Sequence, residues 1–197
     1  MRHPKADHNP NTPDNCNKAL EEKHVRSLNY GDIDRYNKLL KYYSGGSLLD
    51  VGCLNSPVGV EMKKKYPESR IVALDHGDQL IAHFKNLYPE VEYVVGDAYR
   101  LPFPDETFDY VVAGEILEHL DNPKMFVREA HRVLKDGGTM AISTPHEEWN
   151  REQGGIWHVN TFTIDEIKKL MKDFVRFEKD LHDCGAAVKF ILAWSKK

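Results

Sequence analysis

From Ser47 onward, short apolar runs alternate with stretches in which apolar residues return every three or four positions. Ser47–Val51, Arg70–Leu74, Val91–Val95, Phe108–Ala113 and Thr139–Ser143 read as strands, and the alternation is the signature of a parallel sheet covered by helices. The helix after the fourth strand is the best marked. Asn122 can cap it, Pro123 suits its first turn, Phe126, Ala130, Val133 and Leu134 share a face, and Gly137–Gly138 end it. Thr163 and Glu166 form a capping-box pair for a later helix that turns Ile164, Ile167, Leu170 and Met171 inward. Two last apolar segments, Val175–Leu181 and Val188–Trp194, are joined by the short Asp183–Gly185 connection, which suits an antiparallel hairpin better than a crossover. The expected fold is α/β, with a seven-stranded, mostly parallel sheet and one antiparallel strand.

Ahead of this core, residues 1–17 are rich in Pro, Asn, Asp and His without apolar periodicity, and read as a flexible tail. Helices are expected at Ala19–Leu28 and Asp32–Tyr43, the second with a stripe of Leu39, Leu40 and Tyr43. A chain of 197 residues suits one domain over 18–197. The formal net charge of −4 argues against a broad surface for nucleic acid. No apolar run approaches the roughly 20 residues of a membrane span, and the start lacks a secretory pattern, so a soluble, cytoplasmic protein is expected. Cys16, Cys53 and Cys184 form no Cys-x-x-Cys pair, which points to reduced thiols rather than zinc. Oligomeric state leaves no mark in the sequence.

In open α/β sheets the ligand lies beyond the carboxyl ends of the strands, near the point where strand order reverses. Here the first four strands end in Asp50, Asp75, Asp97 and Glu115. A carboxylate at Asp50, beside the turn that would cradle phosphates, repels a pyrophosphate and attracts a cationic amino-acid group. Asp75, about 20 residues beyond that turn, stands where an acid accepts the ribose hydroxyls. Asp97 is placed to accept from a base amine. Such a set suits a nucleoside without phosphates, and S-adenosylmethionine, with an ammonium and a sulfonium, fits. Each acid taken alone reads equally well as a helix cap or surface charge.

The stretches LLDVGC, IVALD, GDAYRLPFPDETFDYVVAGEILEHL and REAHRVLKDGGTMAISTP, in this order and spacing, resemble the class I S-adenosylmethionine-dependent methyltransferases, in particular the small-molecule and ubiquinone O-methyltransferase branch. The resemblance covers about Ser47 to Lys172 and implies a Rossmann-like three-layer sandwich. It also implies that Asp50, Gly52 and Cys53 line the methionine end, that Asp75 binds ribose, and that Asp97 and Ala98 flank adenine. Leu54, His76 and Glu115 complete the candidate cofactor contacts. Cys53 reads as readily as a packing residue, and His76 as a strand cap. The family's Gly-x-Gly-x-Gly turn is here Gly52-Cys53-Leu54-Asn55-Ser56. Leucine at the second glycine resists positive φ and adds a side chain where backbone approaches the cofactor.

Glu115-Ile116-Leu117-Glu118-His119 would, on a helix, turn two carboxylates and an imidazole to one face. Such a set can hold a divalent cation, with His158 or His146 as a further ligand, as the motif does in ubiquinone O-methyltransferases and small-RNA 2′-O-methyltransferases. Glu-His-Leu is also common in the family without metal. The expectation is therefore no metal, with His119 as the base that takes a proton from the acceptor, and His158 after it. The long segment Pro145–Thr161, with Trp149, Trp157, a Gly154–Gly155 hinge and Phe162 just beyond, reads either as a lid or as a variable surface loop. The resulting expectation is methyl transfer to a small-molecule acceptor. The alternatives are a metal-assisted RNA or macromolecule methyltransferase, or a non-catalytic module that lost turnover at Leu54.

Overall fold

The computed structural model describes residues 30–53, 58–147, 158–183 and 189–197. The tail, the Ala19–Leu28 helix, Leu54, Trp149, Trp157 and the Gly154–Gly155 pair lie outside them. The element order is α1 (Tyr30–Leu39), β1 (Ser47–Val51), α2 (Val58–Lys65), β2 (Arg70–Asp75), α3 (Asp78–Leu87), β3 (Glu92–Val95), β4 (Phe108–Gly114), α4 (Pro123–Val133), β5 (Leu134–Pro145), α5 (Ile164–Leu170), β6 (Arg176–Asp183) and β7 (Lys189–Lys196). A single 3₁₀ turn, Leu117–His119, follows β4.

The seven strands form one sheet in the order β3-β2-β1-β4-β5-β7-β6. Every pairing from β3 to β5 is parallel, and β7 runs antiparallel to both β5 and β6, so β7 alone is reversed. The central strands are apolar on both faces because helices cover both, as parallel sheets require. Leu48, Ile71, Tyr110 and Val112 face one side, where Leu39, Val58, Met62 and Ile81 of α1–α3 pack. Leu49, Val72, Val111 and Ala113 face the other, against Phe126, Val127, Ala130 and Val133 of α4 and Ile167 of α5. This is the expected three-layer, Rossmann-like sandwich.

Local signals place the helix starts. The Asn122 side chain accepts from the Met125 amide at 3.2 Å, with Pro123 in the first turn of α4. Thr163 and Glu166 form the full reciprocal capping box of α5. The end of α4 differs from the sequence reading. Leu134 leaves the helix for extended backbone and pairs with Phe108, so β5 begins there. Gly137, at φ 75°, and Gly138 then form an irregularity inside β5 that exchanges hydrogen bonds with Lys197. The glycines end no helix; they let the strand bulge, which hides them as a strand signal.

Helix α1 ends at Leu39, earlier than the expected Tyr43. Its last carbonyl, on Leu39, accepts from the Tyr110 hydroxyl and, at 3.0 Å, from the Trp194 indole. These bonds from β4 and β7 fasten α1 across the sheet.

Candidate active site

Strand order reverses between β1 and β4, so their carboxyl ends flank a crevice. Gly52 turns the chain out of β1 with φ 73°, a conformation that disfavours any side chain. A Cβ there would lie 2.7 Å from Ile116 Cδ1, so the two strand ends approach too closely for one. The Gly52 and Cys53 amides both donate to the Leu74 carbonyl, at 2.9 and 3.1 Å, and pull the turn onto the end of β2.

The expected acids then follow the sheet edge. Asp50 is buried in β1, and Asp75 is buried at the end of β2. Asp75 Oδ1 accepts from the Gly77 amide at 3.2 Å and lies 3.6 Å from Nδ1 of the half-buried His76. The Asp75 carbonyl accepts from the Gly96 amide at 2.9 Å, which brings the end of β3 alongside. Asp97 is exposed there, its Oδ1 taking the Tyr99 amide at 2.8 Å, and Ala98 is half-buried against the core on the α4 side. Cys53 is buried on the opposite, α1–α3 side. In spatial order, the crest of β3, β2, β1 and β4 carries Asp97, Asp75, Asp50 with Gly52, and Glu115.

On the β4 side the helical spacing expected for Glu115, Glu118 and His119 does not occur. Glu115 has φ 58°, a left-handed backbone that costs energy for a residue with a Cβ and breaks any helix at that point. Glu115 and Glu118 are therefore held by different partners. Glu115 Oε1 lies 2.7 Å from Arg35 Nη1 and accepts from the Ser143 hydroxyl at 2.8 Å; Arg35 Nη1 donates to that hydroxyl at 3.2 Å. Glu118, 1% exposed, accepts at Oε2 from the Thr144 hydroxyl at 3.0 Å.

His119 Nε2 stands 4.0 Å from Glu118 Oε1, and the His119 and His158 rings meet edge to face with centroids 4.9 Å apart. The Glu118 carbonyl brings His158 here, because it accepts from the Val159 and Asn160 amides at 2.8 and 3.1 Å. Nδ2 of Asn160 also donates to the Leu120 carbonyl. His146 lies outside this cluster, bridged to Phe162.

Burial pushes both carboxyl groups up, Glu115 to about 8 and Glu118 to about 7. For Glu115 the neighbouring Glu118 adds to the rise while Arg35 and Ser143 pull against it; for Glu118 its own amide and Thr144 do so. Carboxyl groups displaced this far are concentrated at functional sites.

Arg35, Ser143 and Thr144 escaped the sequence reading. The available signal was slight: Arg35 stands four residues before Leu39, on the same face of α1, and a cation on a buried face implies a buried anion.

Residues 49–142 match the family described as a methyltransferase domain. Over 111 residues the chain is 33% identical to a probable S-adenosylmethionine-dependent methyltransferase of Mycolicibacterium smegmatis, covering 56% of this chain and 42% of that protein. It is 34% identical over 110 residues to the demethylmenaquinone methyltransferase of Listeria welshimeri, covering 53% and 47%. The matched part thus spans less than half the length of these relatives. Among solved structures, a SAM-dependent methyltransferase from Thermotoga maritima superposes with a TM-score of 0.71 at 16% identity, covering 94% of this chain and 97% of that one, a likeness of fold. The matched stretch holds β2 to β4, most of β1 and β5 and the crest above them, so residues 49–142 form a unit similar to the methyltransferase domain.

Proposed function

We propose that the chain transfers the methyl group of S-adenosylmethionine to a small-molecule acceptor, leaving S-adenosylhomocysteine. The observation that carries this reading is the crest of acids across the β1/β4 crevice, with a glycine at the crossing where the two strand ends leave no room for a side chain. The residues suit the cofactor: it is cationic at the methionine end, rich in donors at ribose and adenine, and free of phosphate. Asp75 would accept the ribose hydroxyls, Asp97 with Ala98 would take the adenine edge, and Asp50, Gly52, Cys53 and Leu54 would hold the methionine end. His76 and Glu115 flank these contacts.

S-adenosylmethionine supplies a methyl group on a leaving group that needs no further activation. The protein's share is then to align the acceptor and exclude water. A hydroxyl acceptor must also lose its proton, and the half-buried His119–His158 pair would take it. An acceptor of phenolic or lipid-like character accords with the menaquinone-type acceptor in one relative's name, and the net charge of −4 favours a small molecule over nucleic acid.

Calorimetric titration with S-adenosylmethionine and S-adenosylhomocysteine, followed by transfer of labelled methyl to a panel of phenols and hydroquinones, tests the reading. Stoichiometric binding of both and methylation of at least one acceptor class is expected. Absence of binding would reduce the chain to a non-catalytic scaffold.

A further inference from the structure

The geometry points to an anion site apart from the acids of the crest: the groove between α4 and α5 takes a soluble phosphate monoester with an apolar body. The groove has a volume of about 540 Å³, and its walls carry Lys124 and Arg128 of α4, Lys169 of α5 and Lys172 just beyond α5. A cavity of that size holds a small molecule. Its floor is apolar, with Phe162 buried and Leu170 half-buried against the core. None of the crest acids lines it.

The α4 cations sit where the helix does not favour them, and a bound anion would offset that. Lys124 stands in the first turn of α4, a turn without an acid, where the helix dipole favours negative charge. Arg128 follows one turn later on the same row, and like charges at that spacing repel. Arg132, next on the row, is instead paired with Asp105 and Glu129, each at 2.8 Å. Among the described residues, none of the four groove cations has such an ion pair. Lys169 and Lys172 suit the carboxyl end of α5, and they add a second cationic wall to the same cavity.

Charge and shape select the ligand. Two acids share the lining: Glu166, whose Oε2 accepts from the Thr163 amide and hydroxyl at 2.9 and 3.0 Å, and the exposed Asp173. Four cations against two acids leave a surplus of two positive charges, in a chain whose net charge is −4. A phosphate monoester carries about −1.5 to −2 at pH 7, and the planar fork of Arg128 matches its oxygens. A carboxylate brings about half that charge, and inorganic phosphate makes no use of the apolar floor. A concave site with its apolar residues at the bottom suits a soluble molecule, whereas a bilayer is gripped by apolar side chains that protrude. Binding here needs neither cofactor nor turnover, so it stands apart from the methyl-transfer reading.

The test titrates the full chain calorimetrically with phenyl phosphate, benzoate and inorganic phosphate. Phenyl phosphate should bind at one equivalent, and the other two at least about threefold more weakly, one for lack of charge and the other for lack of an apolar body. Lys124→Gln, Arg128→Gln and Lys169→Gln should each weaken phenyl phosphate by about threefold to fivefold, the range of an exposed ion pair. Lys124→Glu combined with Lys169→Glu should abolish binding. All these residues are exposed, and unfolding midpoints check that the variants stay folded. Lys85→Gln, on α3 across the sheet, should change nothing.

No saturable binding of phenyl phosphate, or binding that survives the double reversal, would overturn the groove. Displacement by S-adenosylhomocysteine would do the same, because it would put the anion in the crevice. Benzoate or inorganic phosphate binding as tightly as phenyl phosphate would remove the monoester. Vesicles containing phosphatidic acid test the lipid source of the same group: the protein should stay in the supernatant, and its sedimentation with them would overturn the soluble ligand.

Discussion

The two sides of the crevice are assembled in opposite ways. On the β1–β3 side two of the acids are fixed by their own turns: Asp75 takes the amide of Gly77, two residues on, and Asp97 takes that of Tyr99, also two residues on. On the β4–β5 side the acids are fixed by distant parts of the chain. Glu115 is held by Arg35 and Ser143, 80 residues before and 28 after it, and Glu118 by Thr144, 26 residues on. A turn that satisfies its own carboxylate can form wherever the strand ends. A carboxylate held from afar exists in its pose only when the whole fold is closed. The first side should therefore fail by losing ligand, the second by losing structure.

The largest effect expected from this contrast is at Arg35. Arg35→Ala takes the guanidinium from the half-buried Glu115, which can answer by taking up a proton, and should cost about 3 kcal/mol of unfolding free energy in urea melts, the low end for a broken buried pair. Arg35→Met combined with Glu115→Gln should recover most of that loss, because the uncompensated charge goes with its partner. A cost under about 1 kcal/mol for the single variant would erase the distinction between the sides.

On the other side, Asp75→Ala should act on the ligand first. Loss of charge-assisted hydrogen bonds to ribose predicts weaker S-adenosylmethionine binding by about 1–3 kcal/mol in calorimetry. The unfolding midpoint should move less than it does for Arg35→Ala, since the Asp75 carboxylate accepts from an amide only two residues on. An unchanged affinity would remove Asp75 from the cofactor site.

Gly52 joins the two sides. Gly52→Ala must adopt φ near 73°, at about 1–2 kcal/mol, and its Cβ would meet Ile116 Cδ1. Ile116→Val deletes that atom, so the double variant should be more stable than the two single losses predict. Simple additivity in unfolding measurements would show that the turn and the β4 end do not touch in solution.

The same local-against-distant rule explains what the sequence disclosed. Strand ends, the Asn122 and Thr163 caps and the reversed last hairpin rest on neighbours within a few positions, and all could be read from spacing. The helix over Glu115–His119 could not. Its periodicity was adequate, but the left-handed backbone at Glu115 goes with tertiary bonds to Arg35 and Ser143 that no window of sequence contains. Leu134 misled for a related reason: it fits the apolar face of α4, yet its pairing with Phe108 takes it into the sheet. The approach of His158 to His119 likewise depends on backbone bonds from Val159 and Asn160 to Glu118, set by the fold and not by the spacing of histidines.

Distance along the chain is not sufficient by itself; burial sets the size of the effect. Asp109, at the start of β4 and the opposite end of the sheet, is held by Ser47, 62 residues away, and Lys135, 26 away, with its side chain 42% exposed. Its partial burial works against ionisation, but the Ser47 hydroxyl and amide and the Lys135 ammonium outweigh it and hold the carboxyl below its ordinary value of 3.8. A depressed folded-state value means stability that is present above the unfolded value and lost as pH falls through the folded one. Asp109→Asn should therefore destabilise the protein at pH 7 by less than about 1 kcal/mol, because solvent screens a pair this exposed. The difference from the parent should shrink as urea melts are taken below pH 4. If it instead equalled the Arg35→Ala loss, or persisted unchanged in acid, then remote partners rather than burial would be setting the cost, and the contrast between the two sides of the crevice would need another cause.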